Sequence, residues 1–248
     1  MEIRVFDTPQ ICGLEAAERA ADILRKALAA KPGVRAVFAS AASQIEFLSH
    51  LTKAPGIDWS RVELFHLDEY IGIDEDHPAS FRRFLKERVI GVVPIGKINF
   101  INGSAPDAEA ECKRISAALD AAPIDVAFIG IGENGHLAFN DPPADFEARQ
   151  SYRVVELDQV CRNQQLGEGW FPTLDAVPRH AISMSIPAIV RIENIICTAP
   201  DLRKAQAVKD CLADGAPISN LHPASILKTH AKCWVFLDKP AASLLKES

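Results

Sequence analysis

The chain has 248 residues, is 48% hydrophobic and 24% charged, and carries a formal net charge of -6. These values are typical of a globular protein, and the length suits one α/β domain, which we expect to span residues 1–248. The sequence has no basic tract, which argues against nucleic acid as a partner, because backbone phosphates are bound by clustered lysine and arginine. No apolar run is long enough to span a membrane and residues 1–7 lack a signal-peptide layout, so we expect a cytoplasmic protein without a membrane partner.

The cysteine pattern predicts neither a disulfide framework nor a zinc site. The six cysteines are dispersed and no Cys-x-x-Cys pair occurs, so we expect buried, reduced thiols and no bound metal. They are Cys12, Cys112, Cys161, Cys197, Cys211 and Cys233.

Strand and helix patterns alternate along the chain, which predicts an α/β fold with a mostly parallel sheet covered by helices on both faces. The predicted strands are residues 3–6, 34–39, 62–67, 98–101, 125–129, 152–157, 181–186, 194–199 and 233–237. The predicted helices are residues 14–30, 45–51, 79–89, 107–121, 202–212 and 224–229.

Residues 158–178 are predicted to be an irregular loop that exposes residues 170–172. A loop of this length inside a compact domain is often a mobile lid over an active site, and we expect a lid here. The alternative is a variable surface connection.

The first candidate active site is the segment 129–143, which follows the predicted strand 125–129. Three glycines and the Pro142-Pro143 pair force a turn after this strand. His136 and Asp141 therefore lie at the carboxyl end of a strand, the edge of an open α/β sheet where ligands bind.

The same segment matches a dinucleotide fingerprint, Gly130-x-Gly132-x-x-Gly135. That fingerprint requires a helix that begins at the loop and directs its N-terminus at the pyrophosphate. A long helix through residue 142 is disfavoured, because proline restricts the residue before it. We therefore expect the glycines to let the backbone approach a different ligand.

Polar residues also follow other predicted strands. Asp68 and Glu69 are adjacent at the end of strand 62–67, so their side chains point in different directions and we expect only one in the crevice, where it could act as a general base. The serines of residues 40–43 are either simple helix caps or part of a phosphate site. Arg203 and Lys204 lie in the first turn of the predicted helix 202–212, where their positive charges oppose the helix dipole. A bound anion would compensate this unfavourable placement of charge.

Residues 67–72 together with residues 130–142 resemble the glucosamine-6-phosphate deaminase family, and the likeness extends over most of the chain, including residues 222–227. The resemblance implies a Rossmann-like sheet and conversion of an amino-sugar 6-phosphate into a ketose 6-phosphate plus ammonia. It implies no metal and no redox cofactor.

By the same resemblance, Asp68 is the base that moves a proton between C2 and C1. His136 is the group that opens the sugar ring, for which an imidazole is suited by a pKa near neutrality. Asp141 stands where the family has a glutamate that supports this histidine. Asn134 stands where the family usually has an aspartate; its amide can orient His136 but cannot stabilise a cation by charge.

The resemblance also implies a phosphate site. Residues 40–43 replace the glycine-rich phosphate loop of the family and allow fewer backbone conformations than glycine. The family's regulatory site is not matched, because Val155 lacks the expected cation beside Arg153, so we predict no allosteric activation. The predicted substrate and phosphate ligands are Ser40, Ser43, Gly135, Arg162 and Lys204.

The sequence is also compatible with two other functions. The 6-phosphogluconolactonases share the fold and the Gly-His turn, although residues 138–140 favour the deaminase version. A sugar-phosphate sensor without catalysis is the second alternative, since fold alone does not fix function. The sequence leaves open the amino-sugar epimer and whether the chain forms a homo-oligomer.

Overall fold

A computed structural model describes residues 1–245 of the chain. One large parallel sheet and one small antiparallel sheet contain the strands of this part of the chain. The strands are β1 (Glu2–Phe6), β2 (Val34–Phe38), β3 (Val62–His66), β4 (Asp68–Tyr70), β5 (Lys97–Asn99), β6 (Val126–Ile129), β7 (Tyr152–Glu156), β8 (His180–Met184), β9 (Asn194–Thr198) and β10 (Cys233–Asp238).

The large sheet has the strand order β1, β10, β9, β6, β2, β3, β5, and all of its neighbouring strands are parallel. The chain adds β3 and β5 on one side of β2, then returns to add β6, β9 and β10 on the other side. The loops after β2 and β6 therefore diverge and leave a crevice at the carboxyl ends of these strands. Residues 39–44 and 130–141 meet there, which confirms the predicted fold class and places both candidate segments at one edge.

The small sheet has the order β4, β8, β7 and is antiparallel. The strands predicted at 152–157 and 181–186 are present, but they pair here and not with the large sheet. The chain crosses between the sheets at Leu67, whose N–H donates to the Phe38 carbonyl (3.1 Å) and whose carbonyl accepts from the Met184 N–H (2.8 Å). Asp68, the next residue, thus begins the small sheet at the edge of the crevice.

Helices cover both faces of the large sheet. Alternate residues of β2 divide between two hydrophobic cores, with Val37 in one and Ala36 and Phe38 in the other, as a doubly covered sheet requires. The helices are α1 (Pro9–Ala30), α2 (Ile45–Leu51), α3 (Phe81–Leu85), α4 (Ala108–Asp120), α5 (Gln159–Gly167), α6 (Ile186–Val190), α7 (Ala205–Leu212) and α8 (Lys239–Ala242).

Four predicted helices differ from the structure in their boundaries or type. The predicted helix 202–212 is a 3-10 turn over Leu202–Lys204 followed by α7, and the predicted helix 224–229 is a 3-10 helix over Pro223–Thr229. Helix α1 begins at Pro9 and not at residue 14, because the Thr8 hydroxyl caps it by accepting from the Ile11 N–H (3.3 Å) and proline suits the first helical position. The helix predicted over 79–89 is the short α3, which Ser80 caps, followed by a π-helical turn over Lys86–Ile90.

The prediction of an irregular loop over 158–178 is wrong, because this stretch contains α5 and a 3-10 turn at Leu174–Ala176. The Asp158 carboxylate caps α5 by accepting from the Cys161 N–H (2.6 Å). Of the residues expected to be exposed, Trp170 is exposed but Phe171 is buried. Whether this segment moves as a lid stays a prediction.

The six cysteines are all buried and unpaired, as predicted. Within residues 1–245, no helix has the combination of length and apolar character that crossing a membrane requires.

Candidate active site

A cavity of about 490 Å³ occupies the crevice. Its walls come from the loop after β2, the turn after β6, the loop after β9, strand β4 and one face of α5. Its lining includes Ser40, Ser43, Asp68, Gly132, His136, Gln164, Gln165, Glu168, Arg203 and Lys204.

The turn after β6, which we call the glycine turn (residues 130–141), is folded by its own backbone. The Gly132 N–H donates to the His136 carbonyl (2.9 Å). This bond closes the turn and places the His136 imidazole against the backbone of Gly132. Gly135 has a φ of +85°, a conformation that glycine adopts at little cost. Because no helix is present in residues 130–143, all of which the structure describes, the dinucleotide fingerprint lacks the helix it requires.

His136 and Asp141 form a hydrogen-bonded pair at the cavity. The His136 Nδ1 lies 3.0 Å from the Asp141 Oδ1, which also accepts from the Asn134 amide (3.0 Å). The Asn134 Oδ1 accepts from the backbone N–H of His136 (3.1 Å), and the Asp141 Oδ2 accepts from the backbone N–H of Asp158 (3.2 Å). Asn134 therefore orients both members of the pair, as its amide was expected to do for His136.

The ionised form of Asp141 is favoured by these contacts. Burial acts to raise its pKa, but the hydrogen bond and charge of His136, together with the Asn134 and Asp158 donors, outweigh burial and hold the pKa below its usual value. An ionised carboxylate only accepts hydrogen bonds, so it fixes the proton of His136 on Nδ1. The Nε2 is then free to exchange a proton with a ligand in the cavity.

Asp68 presents a carboxylate to the cavity that accepts no hydrogen bond from residues 1–245. Burial raises its pKa well above the usual value, and the neighbouring charge of Glu69 adds to this effect. A carboxylate with this environment is a stronger base than an exposed one once it is ionised. Its position in the cavity and its raised pKa are properties that a general base needs.

Glu69 points away from the cavity, which confirms that only one of the two adjacent carboxylates faces the crevice. It is fully buried, and its oxygens accept from Ser80 Oγ (2.9 Å), the backbone N–H groups of Tyr70 (3.0 Å), Phe81 (3.2 Å) and Arg82 (3.0 Å), and Arg82 Nε (3.2 Å). These bonds fasten the segment before α3 to β4 and so fix the strand that carries Asp68.

Lys204 is the cation best placed to hold an anion in the cavity. Its side chain is 7% exposed and makes no hydrogen bond or ion pair with the described residues, and burial lowers its pKa. Its neighbour Arg203 is instead paired with Asp201 (3.2 Å) and lies 3.5 Å from Glu133. An unpaired, buried ammonium group is costly unless a ligand neutralises it, which points to an anionic ligand.

The loop that carries Lys204 contains a strained residue. Asp201 has a φ of +93°, which is uncommon outside glycine, and its N–H donates to both oxygens of the buried Asp238 carboxylate (3.1 and 3.2 Å). The carboxylate of Asp201 accepts from the Arg203 N–H (2.9 Å). These bonds fix the turn that brings Lys204 into the cavity.

Two of the predicted ligands do not line the cavity. The Arg162 guanidinium donates to the carbonyls of Leu174 (2.5 Å) and Val177 (3.1 Å), so it ties α5 to the following segment. Gly135 lies against Cys211, since a Cβ added to Gly135 would be 2.8 Å from the Cys211 sulfur. Ser40 and Ser43 do line the cavity, as expected of phosphate ligands.

Gln44 supports the loop beside the cavity, a role that the sequence pattern did not indicate. It is buried beside the cavity, and its Nε2 donates to Thr198 Oγ1 (2.7 Å), the Ile129 carbonyl (3.2 Å) and Ser43 Oγ (3.1 Å). It thus joins the ends of β6 and β9 to the loop of residues 39–44. Its only sequence signal was its position next to Ser43.

One group of metal-ligating types occurs at the site. Ligand atoms of His136, Asp141 and Cys161 lie within 4.8 Å of one another. The oxygens of Asp141 already accept three hydrogen bonds, and burial raises the pKa of the Cys161 thiol, so the thiolate that a metal needs is disfavoured. The donor set therefore fits a hydrogen-bonded acid–base pair better than a metal centre.

Comparisons with known sequences identify close relatives. A family model described as glucosamine-6-phosphate isomerases/6-phosphogluconolactonase matches residues 7–235. The glucosamine-6-phosphate deaminase of Exiguobacterium sp. is 37% identical over 196 residues, which cover 79% of this chain and 75% of the relative. The glucosamine-6-phosphate deaminase of Bacillus thuringiensis is 34% identical over 248 residues, which cover 100% of this chain and 90% of the relative.

Comparisons with solved structures give the same result. The structure of a monomeric glucosamine-6-phosphate deaminase superposes with a TM-score of 0.90 and 30% identity, covering 98% of this chain and 100% of that one. A 6-phosphogluconolactonase from Thermotoga maritima has a TM-score of 0.78 but 17% identity, covering 96% and 99% of the two chains, which shows a shared fold alone. Sequence and structure comparisons together confirm the resemblance carried by residues 67–72 and 130–142.

Proposed function

Because the chain belongs to the family of glucosamine-6-phosphate isomerases and 6-phosphogluconolactonases, we propose that it is an amino-sugar-6-phosphate deaminase. The reaction converts the amino-sugar phosphate and water into a ketose 6-phosphate and ammonia. The observation that carries the proposal is the placement of Asp68, His136 and Lys204 around one cavity, in a chain that is 34% identical over its whole length to a named glucosamine-6-phosphate deaminase.

The proposed mechanism assigns one task to each group. Lys204, with the serines of the loop after β2, holds the phosphate by charge and hydrogen bonds. His136 accepts the proton of the C1 hydroxyl at Nε2 and transfers it to the ring oxygen, so the bond between C1 and the ring oxygen breaks and C1 becomes a carbonyl. Asp68 removes the proton from C2 and returns it to C1, which shifts the carbonyl character to C2 as an iminium group. Water then adds at C2, and ammonia leaves.

We propose that Arg162 is a residue of the lid and not a preformed phosphate ligand. Its guanidinium already donates hydrogen bonds to two backbone carbonyls. A lid made of residues 158–178 would have to break these bonds to bring Arg162 to the phosphate. Gly135 is proposed to act through the shape of the glycine turn, since it does not line the cavity.

The test is ammonia release from glucosamine 6-phosphate and galactosamine 6-phosphate, measured in parallel, with the Asp68→Asn variant as control. Release that the variant abolishes supports the proposal, and the faster sugar identifies the epimer. If neither sugar releases ammonia, hydrolysis of 6-phosphogluconolactone would favour the lactonase alternative. Sugar-phosphate binding without any turnover would favour a sensor.

We also propose a monomer that acts in the cytoplasm without allosteric activation. The monomeric deaminase among the similar structures favours one chain per molecule, which size-exclusion chromatography with light scattering tests. Arg153, the one residue that resembled the regulatory site, is paired with Asp145 (2.7 Å). Rates should follow a hyperbolic curve; a sigmoidal curve relieved by an N-acetylated sugar phosphate would contradict this.

A further inference from the structure

Helix α5 is joined to the glycine turn by two hydrogen bonds that the proposed reaction does not explain. At the start of the helix, the Asp158 N–H donates to the Asp141 Oδ2 (3.2 Å). Six residues further on, the Gln164 Oε1 accepts from the Glu133 N–H (2.9 Å). The first of these bonds is accepted by Asp141, the carboxylate that orients His136.

A separate hydrophobic cluster holds α5 in this position. The cluster packs Cys161 of α5 against Tyr70 of β4 and Phe139 of the glycine turn, and it is distinct from the two large cores on the faces of the parallel sheet. The Tyr70 hydroxyl adds a hydrogen bond to the Gln165 Oε1 (2.5 Å). Helix α5 thus contacts both the strand that carries Asp68 and the turn that carries His136.

The amide of Asp158 has no role in forming α5. Asp158 is the N-cap, so its carboxylate caps the first turn while its own N–H lies outside the helical hydrogen bonds. The partner of this N–H is the Asp141 carboxylate, which it helps to keep ionised. Hydrogen-bond partners of metal-ligating side chains commonly contribute about 10- to 100-fold to affinity or activity, and the Asp158 N–H makes the corresponding contact to the carboxylate that holds His136.

We infer that α5 is a positioning element of the acid–base pair: the Asp158 backbone N–H holds Asp141, and Asp141 holds His136, so that turnover requires α5 to be seated. This inference rests on the proposed deaminase function. It differs from a role of α5 in covering the cavity, because a cover affects substrate binding, whereas the Asp158 contact affects the proton transfer by His136.

A matched pair of variants isolates the contact. Asp158→Pro removes both the cap and the N–H, whereas Asp158→Ala removes the cap alone. The φ of -69° at Asp158 is one that proline adopts, and the proline ring replaces the N–H with a carbon that faces the Asp141 carboxylate. We expect kcat of Asp158→Pro to be about tenfold below that of Asp158→Ala, the size of effect that one supporting hydrogen bond gives, with similar KM values in the two variants.

Two results would overturn the inference. Equal kcat values in the two variants would mean that the N–H does not support catalysis. A difference confined to KM would mean that α5 acts only as a cover, since Gln164, Gln165 and Glu168 line the cavity.

A second measurement needs neither substrate nor a proline variant. Amide hydrogen exchange at Asp158, followed by NMR without ligand, should be slow in the wild-type protein and faster in Asp141→Ala, because Asp141 is the acceptor of this N–H. Equal exchange rates would overturn the inference even if the wild-type protein is an active deaminase. A protein without turnover would contradict the proposed function, while the exchange rates still report on the contact.

Discussion

The imidazole of His136 lies so close to the backbone of Gly132 that an added Cβ at position 132 would be 2.2 Å from Nε2. The same Cβ would lie 2.3 Å from Cε1 and 2.4 Å from Cδ2, so the clash involves the whole outer edge of the ring. Glycine at 132 therefore allows His136 to turn Nε2 toward the cavity while Nδ1 remains on Asp141.

Substituting Gly132 with alanine should inactivate the enzyme without unfolding it. The methyl group would push the imidazole out of line, and a displacement of about 1 Å from the reacting geometry can cost about 100-fold in rate. We expect kcat to fall by about this factor, measured by ammonia release.

The matched control is Gly167→Ala at the end of α5, where an added Cβ has no atom within 4 Å. It should keep its activity, and its melting temperature should equal or exceed that of the wild type, because alanine loses less backbone entropy than glycine on folding. Normal turnover in Gly132→Ala would show that His136 does not act from this position.

The pH dependence of the reaction should report Asp68. The base is active when ionised, and burial raises its pKa well above the usual value of 3.8, with the Glu69 charge adding to this effect. Activity should therefore be lost as the pH falls through this raised pKa, at a higher pH than an ordinary aspartate gives. Asp141 cannot produce this limb, because its pKa is lowered.

The measurement is the profile of kcat/KM against pH, which reports groups of the free enzyme. Asp68→Asn should abolish turnover at every pH while sugar-phosphate binding, measured by calorimetry, is retained. An acid limb at the ordinary carboxylate pKa would contradict the assignment of Asp68 as the base, as would turnover by the Asn variant.

The strand-end rule accounts for most of the site that could be predicted from the sequence. Asp68, His136 and Lys204 each follow a strand pattern, and parallel strands bring their carboxyl ends to one edge. The rule depends only on apolar runs and their order, so it located these residues without any knowledge of side-chain packing.

Features that depend on packing could not be predicted in the same way. Nothing in the composition of residues 158–178 indicated that Asp158 caps a helix and donates to Asp141, because that contact joins segments from two strand ends. Arg162 matched the resemblance in sequence, but the carbonyls of the 174–177 segment hold its guanidinium. The strand β4 in the small sheet was equally hidden, because the predicted strand 62–67 ends at Leu67, which bonds to both sheets.

Removing Glu69 should destabilise the protein strongly. Glu69→Ala would leave the Arg82 guanidinium buried without its carboxylate, and breaking a buried ion pair from one side typically costs about 3–5 kcal/mol. The free energy of unfolding, measured by urea denaturation, should fall by this amount. Glu87→Ala is the matched control, because it removes an exposed pair with Arg83 and should change stability little. Equal stabilities of the two variants would contradict the structural role of Glu69.

Lys204 should show opposite effects on substrate binding and on stability. Lys204→Met removes the unpaired cation, and losing one partner of a buried charge pair typically costs at least about 2 kcal/mol, so KM for the sugar phosphate should rise about 30-fold or more. Without ligand, the same variant should be more stable than the wild type, because the ammonium group no longer has to be buried. The lowered pKa of Lys204 has the same origin, since burial disfavours its charged form.

Lys209→Met on the exposed face of α7 is the control and should change neither the KM nor the stability. An unchanged KM in Lys204→Met would contradict the assignment of Lys204 as the phosphate ligand, and Arg203, which also lines the cavity, would then be the next residue to test by the same measurement.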